Sequence, residues 1–213
     1  MINLVIFDLD GVLYDSKKFH FEALNLALID IDTKYEISYE DHLRIYDGLP
    51  TNRKLEILKE EKGLEENKFS SIWENKQKNT LALLEKIEKN EEIYNLLKLL
   101  KDNNIKIACA SNSISQTVYK VLEKLEIIDF FDKIVSNEDV VNPKPHPEIY
   151  WKCMTEFSIL PNETLIIEDS PVGRLGASLS GARNYFVEDS SDINEGLYYD
   201  ILNSENMENL NKL

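Results

Sequence analysis

Cysteine is nearly missing from this chain: there are two in 213 residues, Cys109 and Cys153. That count excludes both a disulfide framework and a CxxC metal site. Each lies in an apolar stretch, "IKIACAS" and "YWKCMTEF", and reads as a buried free thiol. Basic residues are also short, with 24 Lys and Arg against 39 Asp and Glu and a net charge of −15. That balance argues against a nucleic-acid partner, because neutralising phosphates takes a basic surface. A small anionic substrate remains open, since one divalent ion and one lysine reverse the sign locally. Long apolar runs are absent as well. Nothing approaches the length of a membrane span, and Ile2 to Phe7 is too short for a signal-peptide core. The expectation is a cytoplasmic protein that does not engage a membrane. No internal repeat is visible.

The residues that are present have the balance of a folded globular protein: 43% hydrophobic and 30% charged. The length suits one domain, or a core domain with a smaller insert. "INLVIF" is a continuous apolar run of strand length, fit for a sheet buried on both faces. From about residue 17 to 88 the pattern is helical and strand-free. Ser38 begins a capping-box variant there, Thr51 reads as an N-cap, and Gly63 as a C-terminal stop. Beyond it, strands alternate with helices. "IKIACAS", "KIVS", "TLIIE" and "NYFV" are the strands. Ile93, Leu96, Leu97 and Leu100 make one helical stripe, Ser113 with Gln116 reads as a capping box, Pro147 suits a first turn, and Ser170–Pro171 opens a helix. The tail from about Ser190 reads as helical at "NEGLYYDIL" and frayed beyond.

This order predicts an α/β protein: a doubly wound parallel sheet, Rossmann-like, with a small all-helical cap inserted after the first strand. The core domain takes residues 1–16 and 89–213, and the cap 17–88, placed like a lid above the carboxyl ends of the strands. In such sheets ligands bind at that edge.

Several strand ends carry polar residues. Asp8 and Asp10 follow the first strand, Ser111 and Asn112 the second, and Glu168 and Asp169 the fourth; Lys144 sits in the Pro-locked loop "NPKPHP" after the third. Singly, each has an ordinary explanation: turn acids, helix caps, a surface lysine. Together at one edge they make a hard oxygen site without imidazole or thiolate, suited to Mg²⁺, with a lysine and a serine suited to phosphate. Asp8 and Asp10 are two apart, so one carboxylate is placed to attack phosphorus while the other carries a proton.

"FDLDGVLYDS", "ASNS", "PKPHPEIY" and "IIEDSPVG" resemble the four motifs of the haloacid dehalogenase superfamily, in order, across about residues 3–187. The likeness is nearest to the branch with a helical cap that includes β-phosphoglucomutase and many small-molecule phosphatases. The resemblance implies Asp8 as nucleophile and Mg²⁺ ligand. It implies Asp10 as general acid/base, with its main-chain carbonyl on the metal. Ser111, the Asn112 amide and Lys144 would bind phosphate, and Asp169 and Glu168 would complete the metal site. An acid at position 10 argues against dehalogenation. No cap lysine stands out as the Schiff-base residue of phosphonate-cleaving relatives.

In the cap, His20 lies where β-phosphoglucomutase-like caps carry a histidine, and Arg53 where relatives grip the substrate's far end. A structural histidine and a solvated arginine are the alternatives. Extra residues between Gly48 and Arg53 depart from the mutase pattern. His42 and His146 read as structural. The resulting expectation is a monomeric Mg²⁺-dependent phosphatase for a small phosphorylated metabolite, sugar phosphates among the candidates. A phosphomutase of the β-phosphoglucomutase type is the first alternative. An inactive phosphate-binding module is the second, and it expects a lost catalytic position where none is lost.

Overall fold

The computed structural model describes residues 1–46 and 49–202. Gly48 and the tail expected to fray lie outside them. The chain divides into two compact units, Ser16–Ile87 and the pair Met1–Asp15 with Glu88–Leu213.

The first unit is helical, with no strand among its described residues: α1 (Lys17–Ile29), a short α2 (Tyr39–Asp41) continued by a π turn (His42–Tyr46), α3 (Thr51–Lys62) and α4 (Phe69–Leu84). Leu24, Ala27 and Leu28 of α1 recur at helical spacing and pack with Tyr35, Ile37, Tyr46, Leu55, Leu58, Leu64 and Ile72. The Asn25 side chain braces this core, donating to Ile37 O at 2.7 Å and accepting from Ile37 N at 2.9 Å. Ser38 caps α2, accepting from Asp41 N. Gly63 ends α3 in the left-handed region, at φ 67°. Thr51 does not cap α3; it is the first helical residue, and Pro50 stands at the cap position. His42 is fully buried against the rings of Phe21 and Tyr39.

The second unit is a five-stranded, wholly parallel sheet in the order β3-β2-β1-β4-β5. The strands are β1 (Leu4–Phe7), β2 (Lys106–Ala110), β3 (Lys133–Val135), β4 (Thr164–Glu168) and β5 (Arg183–Phe186). The helices are α5 (Glu91–Asp102), α6 (Ser115–Lys124), α7 (Glu148–Phe157), α8 (Pro171–Ser180) and α9 (Glu195–Leu202). The central strands are buried on both faces, so their sequences are continuously apolar rather than alternating. Leu4, Ile6, Ala108, Ala110 and Ile166 pack on one face with Ile149, Tyr150 and Cys153 of α7 and Ala177 of α8. Val5, Phe7, Ile107, Cys109, Leu165 and Ile167 alternate to the other face and are equally buried. Both cysteines are buried free thiols.

Ser170 caps α8, accepting from Gly173 N, with Pro171 at the first position. The box expected from Ser113 and Gln116 does not form. Helix α6 begins at Ser115 with Ile114 at the cap position, and the Ser113 hydroxyl is committed elsewhere. Pro147 occupies the cap position of α7 rather than its first turn.

Candidate active site

β1, β2 and β4 run side by side and in the same direction, so the residues leaving their carboxyl ends meet at one edge. Asp8 follows β1 and is still tied to β4, through Asp8 N to Ile167 O at 3.0 Å. Lys144 arrives from the β3–α7 loop. Its ammonium spends all three donors at 2.6 Å, on Asp8 Oδ1, Glu168 Oε1 and Ala110 O. All three side chains of this chain of charge are buried, Glu168 completely. Tyr150 of α7 donates a second hydrogen bond to Glu168 Oε1, and Glu168 Oε2 is buried without a hydrogen-bond partner. Asp8, Glu168 and Asp169 each offer an oxygen, and these oxygens lie within 4.8 Å of one another.

Two glycines make room for the acids. Gly11 turns the chain at φ +83°, where a Cβ would fall 2.0 Å from Asp169 Oδ2. A Cβ on Gly173, in the first turn of α8, would fall 1.9 Å from Glu168 Oε2. Neither place admits a side chain while the carboxylate stays.

Asp10 turns to different partners. Its Oδ1 accepts from Tyr14 OH at 2.7 Å and its Oδ2 from Ser113 Oγ at 2.8 Å, with Ser111 Oγ at 3.5 Å. Ser111 Oγ accepts from Ser113 N at 3.0 Å. The Asn112 carboxamide clamps the main chain of Lys144, donating to its carbonyl at 3.1 Å and accepting from its N–H at 3.0 Å. The Asn112 carboxamide is thus occupied by the Lys144 main chain.

The electrostatics follow from crowding. Burial, then Glu168, push the Asp8 carboxyl up to about 8, against the pull of Lys144. Burial also raises Glu168. Lys144 is itself held well above the ordinary lysine value: burial works against its charge, and Asp8 and Glu168 outweigh burial. Two buried carboxyls thus share one cation, and burial, together with the surplus of negative charge that both ionised at once would leave, raises their proton affinity. A buried acceptor without a donor and three converging hard oxygens fit Mg²⁺, which would supply the missing positive charge.

The structure thus brings together Asp8, Asp10, Ser111, Asn112, Lys144, Glu168 and Asp169. His20 and Arg53 belong to the helical unit. His20 lies in the first turn of α1, half-buried, and Arg53 is exposed on α3 and paired with Glu56 at 2.7 Å. His146 is exposed, and its Nδ1 accepts from Glu148 N at 3.2 Å. Sequence reasoning missed Tyr14, Ser113, Tyr150, Gly11 and Gly173 as site builders. Only Gly173 left a readable signal: a glycine inside a helix gives up about 1 kcal/mol against alanine, so it marks a close approach.

A parallel α/β sheet that gathers buried acids and a lysine at its carboxyl edge places them where α/β enzymes bind their ligands. Residues 5–187 match the family of haloacid dehalogenase-like hydrolases, and the chain belongs to that family. It is 29% identical over 185 residues to a phosphorylated carbohydrates phosphatase of Thermotoga maritima, covering 85% of this chain and 83% of that one. It is 30% identical over 177 residues to β-phosphoglucomutase of Bacillus subtilis, covering 79% and 76%. In fold it resembles the crystal structure of β-phosphoglucomutase from Clostridium difficile, with TM-score 0.77 over 96% of this chain and 99% of that one at 24% identity.

Proposed function

We propose that the protein is a cytoplasmic, monomeric, Mg²⁺-dependent phosphatase of small phosphomonoesters that works through a phosphorylated Asp8. One observation carries this reading: a buried lysine tied to two carboxylates, with a third carboxylate close by. The Thermotoga relative's activity on phosphorylated carbohydrates makes sugar phosphates the first substrates to try.

Asp8, Glu168 and Asp169, with the main-chain carbonyl of Asp10, would hold the ion. When bound, Mg²⁺ neutralises phosphoryl charge and orients the oxygens. Asp8 attacks phosphorus, forming the aspartyl phosphate as the ester P–O bond breaks. Asp10 gives its proton to the departing alkoxide. Asp10 then takes a proton from water, which attacks phosphorus, releases phosphate and restores the Asp8 carboxylate. Ser111 Oγ and the Asn112 N–H hold the phosphoryl oxygens through both steps, and Lys144, whose donors are taken by Asp8, Glu168 and Ala110 O, neutralises their charge. Tyr14 and Ser113 keep Asp10 oriented. The helical unit acts as the cap that chooses the substrate, with His20 and Arg53 as its contacts.

A phosphate-release screen over sugar phosphates, nucleotides and phosphorylated acids tests this, with Mg²⁺ and with chelator. Turnover that requires Mg²⁺ and vanishes in Asp8→Asn supports it; no release from any substrate refutes it. The Bacillus relative favours a second reading, a phosphomutase. That reading predicts isomerisation of β-glucose 1-phosphate, primed by a bisphosphate, without free phosphate.

A further inference from the structure

We propose that Tyr150 is a positioning residue for the metal: its hydroxyl fixes which oxygen of Glu168 is left to a cation. This inference rests on the metal site of the proposed function and extends it to a residue outside the carboxylate set.

Glu168 ends β4 with no exposed surface. Its two oxygens are treated differently. Oε1 accepts from Lys144 Nζ at 2.6 Å and from Tyr150 OH at 2.5 Å. Oε2 accepts from nothing, although it is buried. A buried carboxylate oxygen without a donor is unfavourable, and a cation is the partner it can still take.

Lys144 alone does not impose this division. Its ammonium is also bound to Asp8 Oδ1 and Ala110 O, so it contributes a single contact to Glu168 and leaves the carboxylate free to turn. Tyr150 supplies the second constraint from a different element, α7. Its ring is buried in the sheet-facing core with Ile149 and Cys153, so the hydroxyl has little latitude. The same hydroxyl lies 3.3 Å from Gly173 O in the first turn of α8, where it spans the gap between that turn and Glu168. Gly173 completes the arrangement from the other side, because only a residue without Cβ leaves room for Oε2. Two donors on one oxygen and a seat at Gly173 that the other oxygen fills amount to a fixed rotamer. Groups that orient metal ligands in this way govern affinity as well as geometry.

Tyr150→Phe keeps the ring and removes the hydroxyl. Binding is read by calorimetry with Mg²⁺ and by electron paramagnetic resonance with Mn²⁺, on protein without substrate. Affinity is expected to fall roughly tenfold or more, within the range of outer-shell losses. The Mg²⁺ midpoint for phosphate release should move by the same factor. At saturating Mg²⁺, kcat should return to within about threefold of wild type, which damage to the fold would not allow. Tyr150→Met is the reserve variant, should circular dichroism show the Phe variant unfolded, and the same shift is expected of it. Wild-type affinity within twofold in a folded hydroxyl-free variant overturns the inference and leaves the proposed function intact. A wild-type protein that binds neither ion and releases no phosphate overturns both.

Discussion

Replacing Lys144 by methionine removes one ammonium and keeps most of the stem's packing. The lost contacts are three, each at 2.6 Å. Asp8 and Glu168 would then lie buried side by side with no counter-charge. Breaking a buried ion pair by removing one partner costs about 3–5 kcal/mol, most of it the unpaired charge left behind. For a chain of this size each kcal/mol moves the melting temperature by about 2–4 °C, so a drop of about 6–20 °C is expected for metal-free protein at pH 8. The loss should shrink at pH 5.5. The folded-state value of Asp8 already lies above that of the unfolded chain, and losing Lys144 raises it further. A group shifted in that sense destabilises the fold as pH rises above the ordinary carboxylate range, and protonation at lower pH relieves the repulsion. Thermal melts followed by circular dichroism at the two pH values measure both quantities. A melting temperature within 2 °C of wild type at pH 8 would refute the account, as would a loss that grows on acidification.

Gly11→Ala should weaken Mg²⁺ activation by roughly ten- to a hundredfold, because the added methyl group displaces Asp169; an unchanged Mg²⁺ titration of phosphate release counts against this. Mg²⁺ should raise the melting temperature more at pH 8 than at pH 5.5, since Asp8, pushed up to about 8, must give up a proton to bind it; equal increments would contradict the burial argument. Asp132 accepts from Ile107 N and from Lys101 and Lys106. Burial works against its charge, but these donors hold its carboxyl below the usual range. Asp132→Asn should therefore cost about 1–2 kcal/mol at pH 7 by urea titration. Because the folded value is lowered, that difference is present above the ordinary carboxylate pKa and fades as pH falls through the lowered value; a difference undiminished at pH 3 speaks against it.

The strands were legible because a doubly covered parallel sheet needs unbroken apolar runs, and the runs at 4–7, 106–110 and 164–168 have little else to be. Ser170 was legible for a similar reason, since a serine before a proline at a helix start has a local use. Ser113 was not. Its local pattern offered a cap, but the helix begins two residues later, at Ser115, and the Ser113 hydroxyl instead donates to a charged acceptor from a distant segment, Asp10. Tyr14 and Tyr150 were illegible in another way. Each is a large aromatic in an apolar context, and sequence shows a core residue without showing where its hydroxyl goes. Asp8, Lys144 and the Glu168–Asp169 pair could be read only jointly, because the argument lay in their sharing one sheet edge. His20 and Arg53 had no such support: each rests on its place in a resemblance.

The central position of β1 has a consequence for the order of assembly. Its partners are β2 and β4, and β4 is complete only at Glu168. During synthesis Asp8 is therefore made long before the two strands that flank it, while Ser16–Ile87 emerges as one uninterrupted segment with its own apolar centre. A nascent or truncated chain that stops short of residue 168 has Asp8 but neither Glu168 nor Asp169 beside it, so the acid cluster at this edge exists only with a nearly finished sheet.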